Sequence, residues 1–411
     1  MRALIACLLL FAPLHAADVA DRLLADERVQ EALAFVERNE PEVIEYQIAL
    51  TEIPAPPFEE QKRAEALRAM FAERGLDDVR IDAEGNVIGV RPGREPSPRL
   101  VLSAHLDTVF PAETEVDVVR EGPVLRAPGI GDDGRGLAVL LGVLDALNRA
   151  EVQTEGPIAF VGTVGEEGLG DLRGVKHLFE KELAGKIDRF VSIDGTRERI
   201  TNVGVGSYRY RVAYTGPGGH SYGSFGMPNP IHALGRLIAK VAGFSVPEDP
   251  RTTFSVGRIW GGTSVNAIAF EAYAEVDMRS VDRDALETLD AKFHAAAQEA
   301  LAEERERWTS EVDLELNLER VGSRPAGSTA ESSPVVQAAI DATEALGLEP
   351  DLRAGSTDAN VGMSLDIPSI TIGGGGVGEG AHSPGETFDT TDSYLGTQRA
   401  LLVAVALASS L

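Results

Sequence analysis

The sequence predicts an α/β fold: a mostly parallel sheet with helices on both faces, interrupted by a ferredoxin-like α+β domain. Three observations lead to this fold class. Short apolar runs of strand character alternate with helical segments, as in βαβ units built around a parallel sheet. The middle of the chain has the order β-α-β-β-α-β, which is the ferredoxin-like arrangement. An apolar strand follows this unit, so we expect the unit to interrupt the main domain.

The main domain is predicted from both ends of the chain. Residues 18–74 are helical in character, with a break at residues 53–57, and a hairpin follows at residues 79–90. The segment Leu137–Leu147 is apolar nearly all round, as is typical of a helix packed on a sheet. The apolar runs with strand character are Leu100–Ala104, Ile158–Val164, Phe190–Ile193 and Ile370–Ile372.

The middle of the chain differs in pattern. Ser207–Tyr214 alternates between apolar and polar residues like a half-exposed strand, and Pro230–Ala242 has the spacing of an amphipathic helix. The remaining elements predicted here are strands at Thr252–Ile259, Ala267–Met278 and Val312–Leu318 and a long helix at Arg283–Arg307.

The charge balance excludes some classes of partner. The 411 residues include 38 Lys and Arg against 65 Asp and Glu, a formal net charge of −27. Nucleic acid needs a basic surface, so we expect no nucleic-acid partner. The same charge disfavours anionic membrane surfaces. No segment after the N-terminus reaches about 18 uninterrupted apolar residues, so no stable membrane insertion is expected.

The N-terminus resembles a secretory signal peptide over residues 1–16. Arg2 precedes the apolar run Ala3–Ala12, and small residues follow up to Ala16. The alternative interpretation is a buried N-terminal helix. Cleavage after Ala16 would remove Cys7, the only cysteine, and leave a mature protein without disulfides or thiolate ligands. The expected location is therefore secreted or periplasmic.

Candidate functional residues stand at the ends of predicted strands or in turns beside them. They are His105 with Asp107, Asp132 with Asp133, Glu166 with Glu167, Asp194, and His382. In open α/β sheets, sites form outside the carboxyl ends of the strands, where these residues would converge. Imidazole and carboxylate groups without thiolate suit two divalent ions such as Zn, Co or Mn.

Each group also has a structural interpretation. Residues two apart on an extended chain share a face, so the Asp107 carboxylate is predicted to orient the His105 ring. In Gly131-Asp132-Asp133 an aspartate either caps the next helix or bridges two cations. A lone histidine such as His382 is more often structural than a ligand.

The two remaining carboxylate positions show the same ambiguity. Glu166 and Glu167 would normally face water, because adjacent buried carboxylates repel one another. Beside a dication, however, one can bind the metal while the other accepts a proton. Asp194 stands in an Asp-Gly pair, which is also common in plain turns.

As an ordered set, these motifs resemble the M20 family of dinuclear zinc peptidases and deacylases, over essentially the whole mature chain. The resemblance implies that His105 and Asp194 hold one ion, that Glu167 and His382 hold the other, and that Asp132 bridges them. Asp107 would orient His105 and Glu166 would be the general base. One departure is that Gly134-Arg135 stands where the family has a lysine after the aspartates.

The resemblance also implies a domain organisation and further site residues. Residues 17–205 and 323–411 would form the catalytic domain and residues 206–322 a lid that makes a homodimer. His220 would be the lid histidine that reaches the active site of the dimer partner, with self-contained packing of His220 as the alternative. Asn266 and Arg279 would bind the substrate carboxylate, and Gly355 would line the pocket. A salt bridge at the domain junction is the alternative for Arg279.

The identity of residue 194 bears on the substrate. Aminopeptidases and dipeptidases of the family typically have Asp there, whereas its deacylases and glutamate carboxypeptidases typically have Glu. Asp194 therefore favours the hydrolysis of short peptides by metal-activated water. An N-acyl-amino-acid deacylase or glutamate-type carboxypeptidase is the first alternative. A non-catalytic binding protein on the same scaffold is a remote one, expected to lack a ligand or the base.

Overall fold

The computed structural model describes residues 22–409 of the 411-residue chain. The predicted signal peptide, residues 1–16, lies outside these described residues. Within residues 22–409, no helix combines the length and the apolar character needed to cross a membrane.

The elements alternate along the chain. The strands are β1 (Asp77–Ile81), β2 (Val87–Arg91), β3 (Leu100–His105), β4 (Val119–Glu121), β5 (Val124–Arg126), β6 (Ile158–Thr163), β7 (Arg189–Ile193), β8 (Arg199–Gly204), β9 (Gly206–Thr215), β10 (Gly219–His220), β11 (Thr252–Gly261), β12 (Ala267–Ile268), β13 (Glu271–Ser280), β14 (Glu315–Arg324), β15 (Gly327–Ser328), β16 (Asp351–Gly355), β17 (Ser369–Ile372), β18 (Val377–Glu379) and β19 (Thr387–Asp389). The α-helices are α1 (Glu27–Thr51), α2 (Gln61–Glu73), α3 (Gly134–Arg149), α4 (Arg173–His177), α5 (Pro230–Ala242), α6 (Arg283–Glu306), α7 (Pro334–Ala345), α8 (Ala359–Ser364) and α9 (Tyr394–Leu407).

The main domain is built on one large sheet. Its strands follow the order β1-β2-β6-β3-β7-β17-β8-β15, and β16 pairs with β8. The central strands β6, β3, β7 and β17 are parallel, and the strands that flank them pair antiparallel on both sides. The carboxyl ends of the central strands therefore meet at one edge of the sheet.

Helices cover both faces of this sheet, because alternate residues of each strand face opposite sides. Leu100 and Leu102 of β3 belong to the larger core cluster, which includes α1, α2, α3, α7 and α9. Val101, between them, packs in a second cluster with residues of α4 and α8. The α/β fold class with helices on both faces is thus confirmed.

The inserted domain is an antiparallel sheet of order β11-β13-β9-β14 with α5 and α6 packed on it. Tyr214 of β9 donates a hydrogen bond from its hydroxyl to the Ala297 carbonyl oxygen of α6, at 2.8 Å. The predicted ferredoxin-like order is confirmed. The predicted strand Ala267–Met278 is wrong in one respect: residues 267–268 form the separate strand β12, which pairs with β10.

Strand β14 continues to Arg324, six residues past the predicted end at Leu318. This extension carries the inserted domain to the edge of the main sheet. There, the Ser323 N–H donates to Asp171 at 2.8 Å, and Arg209 of β9 donates to the Gly168 carbonyl oxygen at 2.7 Å.

Candidate metal centre

The predicted ligands converge at the carboxyl edge of the central strands. His105 is the last residue of β3, Glu166 and Glu167 follow β6, and Asp194 follows β7. In the register of the sheet, His105 lies beside Thr163, the last residue of β6. The sheet itself therefore brings these four side chains together.

Two groups of potential ligands share one aspartate. In the first, His105, Asp132 and Asp194 each offer an atom within 4.8 Å of the others; in the second, Asp132, Glu167 and His382 do the same. Asp132 places Oδ1 3.1 Å from His105 Nε2 and Oδ2 3.1 Å from His382 Nε2. Its two oxygens thus face different histidines, as a bridging carboxylate requires.

The chemistry of these donors fits two divalent ions. Burial raises the pKa of Asp194 to about 7; the charge of His105 opposes this shift, and the carboxylates of Asp132 and Glu167 add to it. Three carboxylates in one buried cluster repel one another, and bound dications relieve that repulsion. Nitrogen and oxygen donors without thiolate match Zn, Co or Mn.

His382 approaches the centre from a loop after β18. Its backbone has φ 65°, a left-handed conformation that is uncommon outside glycine and asparagine. With the backbone in this conformation, the His382 side chain places Nε2 2.9 Å from Glu167 Oε1.

The structure corrects the predicted role of the Asp107 side chain. His105 Nδ1 lies 2.9 Å from the backbone carbonyl oxygen of Asp107, whereas the nearest carboxylate oxygen is 3.8 Å away. Strand β3 ends at His105, so the alternation of an extended chain does not continue to residue 107. Because a carbonyl oxygen only accepts, Nδ1 carries the hydrogen and Nε2 is left as the ligand atom.

The Asp107 carboxylate supports the glutamate pair instead. It is fully buried and accepts the backbone N–H of Glu166 at 3.0 Å and of Glu167 at 2.7 Å. One residue therefore positions His105 through its main chain and both glutamates through its side chain.

The two interpretations of the Asp132-Asp133 pair, helix cap and bridging ligand, fall on different aspartates. Asp133 caps helix α3 by accepting the Gly136 N–H at 3.0 Å, and it also accepts the His105 N–H at 3.0 Å. Asp132 is then the residue that faces the histidines. The residue pattern alone left both roles open, whereas the family resemblance assigned the bridging role to Asp132.

Glu386 was missed by sequence reasoning. Its buried carboxylate accepts the backbone N–H groups of Gly129, Gly131 and Asp132 at 2.8–2.9 Å. These bonds hold the turn that presents Asp132. The available signal was its position four residues after His382, in the same glycine- and proline-containing loop.

Arg324 was missed as well, because the strand that carries it was predicted to end too early. Its Nη1 lies 3.1 Å from Glu166 Oε1, and both side chains are buried. Burial raises the pKa of Glu166 well above its usual value, and the charge of Arg324 opposes that shift. The inserted domain thus supplies the cation that faces Glu166.

A cavity of about 540 Å³ opens beside these groups. Arg279 and Gly355, both predicted to contact substrate, line it. His220 and Asn266 are not among its lining residues. They lie together on the inserted domain, where the Ser221 N–H donates to the Asn266 carbonyl oxygen at 3.0 Å.

Arg135, which stands near the family's lysine position, faces away from the centre. It is fully buried, with Nη1 2.9 Å from Glu40 Oε1 and Nε 2.8 Å from the Gly374 carbonyl oxygen. Its role is to join α3 to α1 and to the loop after β17, so it does not replace the lysine at the cavity.

Comparison with known proteins identifies the family. Residues 101–407 match peptidase family M20/M25/M40, and the chain belongs to that family. It is therefore a hydrolase of the peptidase and amidohydrolase type, and the non-catalytic alternative is set aside.

Individual relatives span nearly the same length. The uncharacterized protein YqjE of Bacillus subtilis is 26% identical over 81% of this chain and 90% of its own length. A putative succinyl-diaminopimelate desuccinylase of Mycobacterium tuberculosis is 27% identical over 82% and 90%. The structure of a tripeptidase from Staphylococcus aureus aligns with a TM-score of 0.75 and 23% identity, covering 90% of this chain and 99% of that one.

Proposed function

We propose that this protein is an exported hydrolase that uses two divalent metal ions, Zn with Co or Mn as substitutes, to cleave amide bonds of short peptides. The observation that carries this proposal is Asp132, whose two oxygens each face a different histidine within overlapping ligand groups. His105 and Asp194 would hold one ion, Glu167 and His382 the other, and Asp132 both.

Glu166 is the proposed general base. When bound, the two ions would lower the pKa of a water molecule and favour negative charge on the substrate carbonyl oxygen. Glu166 is buried beside the ligand groups and takes part in one of them. Its carboxylate would accept the proton of the attacking water and pass it to the leaving nitrogen. The raised pKa of Glu166 suits a group that must gain and then lose a proton.

Substrate would enter from the cavity. Arg279 lines this cavity and would bind a substrate carboxylate, because its planar fork pairs with two oxygens at once. Gly355 also lines this cavity. The family's peptidases and the Asp at position 194 favour a short peptide, of aminopeptidase or dipeptidase type. The desuccinylase relative keeps the N-acyl-amino-acid alternative open.

A homodimer would place His220 and Asn266 at an active site. Both lie outside the cavity of their own chain, and they adjoin exposed apolar side chains. Tyr222, Phe225 and Val265 are 89%, 79% and 102% exposed. Burying such a patch against a second copy would stabilise a dimer and could bring His220 to the partner's cavity.

The test begins with purified protein that is stripped with a chelator and reloaded separately with Zn, Co or Mn. Hydrolysis should disappear on stripping and return on reloading. Free-amino dipeptides are then compared with their N-acetylated counterparts. Preference for the free series supports the peptidase proposal, and preference for the acetylated series supports the deacylase. Activity that survives complete metal removal refutes both.

Export is tested separately. Expression of the full chain with its first 16 residues, followed by N-terminal sequencing of the product, should show that the mature protein begins at Ala17. An intact Met1 on cytoplasmic protein would contradict the proposal.

A further inference from the structure

The cavity beside the candidate metal centre is unusually rich in arginine for so acidic a chain. Its lining includes five arginines: Arg199, Arg209, Arg279, Arg324 and Arg353. The chain as a whole carries 65 acidic against 38 basic residues. A general excess of basic surface therefore does not explain why so many guanidinium groups meet here.

The three arginines of the inserted domain have carboxylate partners close by. Arg324 pairs with Glu166 at 3.1 Å. Arg209 and Arg279 both pair with Asp277, at 3.2 and 2.7 Å, so two cations share one carboxylate. Arg209, Arg279 and Arg324 together face two carboxylates, so one positive charge is left over. That charge is available for a substrate carboxylate, as proposed for Arg279 above.

Arg199 and Arg353 form a second group, on the main domain. Strands β8 and β16 pair in parallel, with Arg353 beside Thr201 and Arg199 two residues before Thr201. Residues two apart on a strand share a face, so both guanidinium groups leave the sheet on the cavity side. Both also line an adjoining cavity of about 360 Å³, which the inserted-domain arginines do not line.

This second pair remains available to a ligand. Within residues 22–409, Arg199 makes no ion pair within 4 Å, and its Nε donates to the Thr196 carbonyl oxygen at 3.2 Å. Arg353 pairs with Asp351 at 2.7 Å, but its side chain is 56% exposed. An exposed pair of this kind contributes little and exchanges readily for a better partner.

The positions of Arg199 and Arg353 relative to the candidate metal centre indicate which part of the substrate these two arginines would contact. Asp132 and Asp194 line both cavities, as Arg199 and Arg353 do. Arg279 lines only the larger cavity, whereas Arg199 and Arg353 also line the adjoining one, so an amide bond held over these carboxylates would have the Arg199–Arg353 pair toward the adjoining cavity. With Arg279 on the carboxylate of the amine part, the second pair faces the acyl part.

We infer that the substrate carries a second carboxylate in its acyl part and that Arg199 and Arg353 bind it. This inference rests on the proposed hydrolase function and narrows its substrate class to compounds with two carboxylates. Two sources share this chemistry: a peptide with an N-terminal acidic residue, and an amino acid with a dicarboxylic acyl group such as succinyl.

The test uses isosteric pairs on the metal-loaded enzyme. Glu-Ala is compared with Gln-Ala, and N-succinyl-alanine with N-succinamyl-alanine. The charged member of at least one pair should have a kcat/KM roughly 10- to 100-fold higher, as expected for hydrogen bonds between charged groups. The pair that shows the preference identifies the source of the carboxylate. Equal rates in both pairs, with hydrolysis intact, overturn the inference but leave the proposed function standing.

Variants assign the preference to residues. Arg353→Gln should abolish most of the discrimination, by lowering kcat/KM for the charged member far more than for the neutral member. Arg199→Gln should do the same, and Arg353→Gln alone suffices if the Arg199 variant fails to fold. Arg120→Gln is the matched control. Arg120 is an exposed arginine of β4 that pairs with Glu45 of α1, and its replacement should keep the preference. A preference that survives Arg353→Gln and Arg199→Gln refutes the assignment.

A binding measurement separates this inference from catalysis. Calorimetric titration of the metal-loaded protein with Glu-Ala and Gln-Ala, in the Glu166→Gln background, should give a Kd at least about tenfold lower for Glu-Ala. That result supports the inference even if neither peptide is hydrolysed. Equal affinity for the two peptides, together with equal affinity for the two acyl compounds, overturns it.

Discussion

Replacement of Asp107 by Asn tests how the centre is supported. The carboxylate accepts two backbone N–H groups, from Glu166 at 3.0 Å and from Glu167 at 2.7 Å, in a fully buried position. An asparagine keeps one acceptor oxygen, and its NH₂ group would face the other N–H. One charge-assisted hydrogen bond is lost and one buried N–H is left without a partner.

The size of the effect follows from these two bonds. A hydrogen bond to a charged group contributes about 1.5–3 kcal/mol, so Asp107→Asn should lower the free energy of unfolding by about 2–3 kcal/mol. A backbone shift at Glu166 of even about 1 Å would lower the rate by roughly 100-fold, because proton transfer depends on close positioning. Urea unfolding measures the first effect, and kcat on a dipeptide measures the second.

Asp82→Asn is the matched control. Asp82 Oδ1 accepts the backbone N–H groups of Glu84, Gly85 and Asn86, each at 2.9 Å, in the turn between β1 and β2. The same substitution there should cost similar stability and leave kcat unchanged. If Asp107→Asn also leaves kcat unchanged, the side chain is only structural.

Metal content separates the two possible roles of Asp107. The carbonyl oxygen that holds His105 is retained in Asp107→Asn, so the ion assigned to His105 and Asp194 should stay bound. The ion assigned to Glu167 and His382 should bind more weakly. Loss of the His105 ion first would mean that the carboxylate, and not the carbonyl, orients the ring.

Three further outcomes are expected. Glu166→Gln should retain both ions by elemental analysis and lose roughly 10²- to 10⁴-fold in kcat; wild-type turnover would refute its role as base. Arg135→Met leaves Glu40 buried without its partner at 2.9 Å and should lower the free energy of unfolding by about 3–5 kcal/mol, whereas Arg38→Met, at an exposed pair, should change it by less than about 1 kcal/mol in the same urea assay. Gel filtration with activity assays should show a dimer that His220→Ala inactivates; a fully active monomer would exclude action in trans.

The sequence predicted most of the core elements because their patterns are locally complete. Helix α5 lies at the predicted Pro230–Ala242, with proline at its first position and Asn229 as its cap. The short strands β4, β5, β18 and β19 were not predicted. They form a separate four-stranded sheet whose pairing joins residues 119–126 to residues 377–389, and no local pattern reports a partner so distant in sequence.

The same difference, between local sequence patterns and contacts distant in sequence, applies to the site. His105, Asp132, Glu167, Asp194 and His382 could be predicted because each stands at a strand end or in a turn with a recognisable motif. Arg324 and Glu386 could not, since their importance lies in contacts with residues 158 and 254 positions away. The Asp107 carboxylate was assigned to the wrong neighbour because the chain turns as soon as β3 ends.

The acidity of the chain and the arginines of its cavity are connected through the candidate ions. The cavity lining contains four carboxylates, Asp132, Glu166, Glu167 and Asp194, against five guanidinium groups. Without metal these charges nearly cancel, and a substrate with two carboxylates has little reason to bind. Two dications would add four positive charges and leave the cavity strongly cationic inside a protein whose net charge is −27. Because surface charges are screened beyond about 8 Å at physiological salt, the local excess would decide what binds. Metal loading would therefore create both the reactive centre and the preference for an anionic substrate.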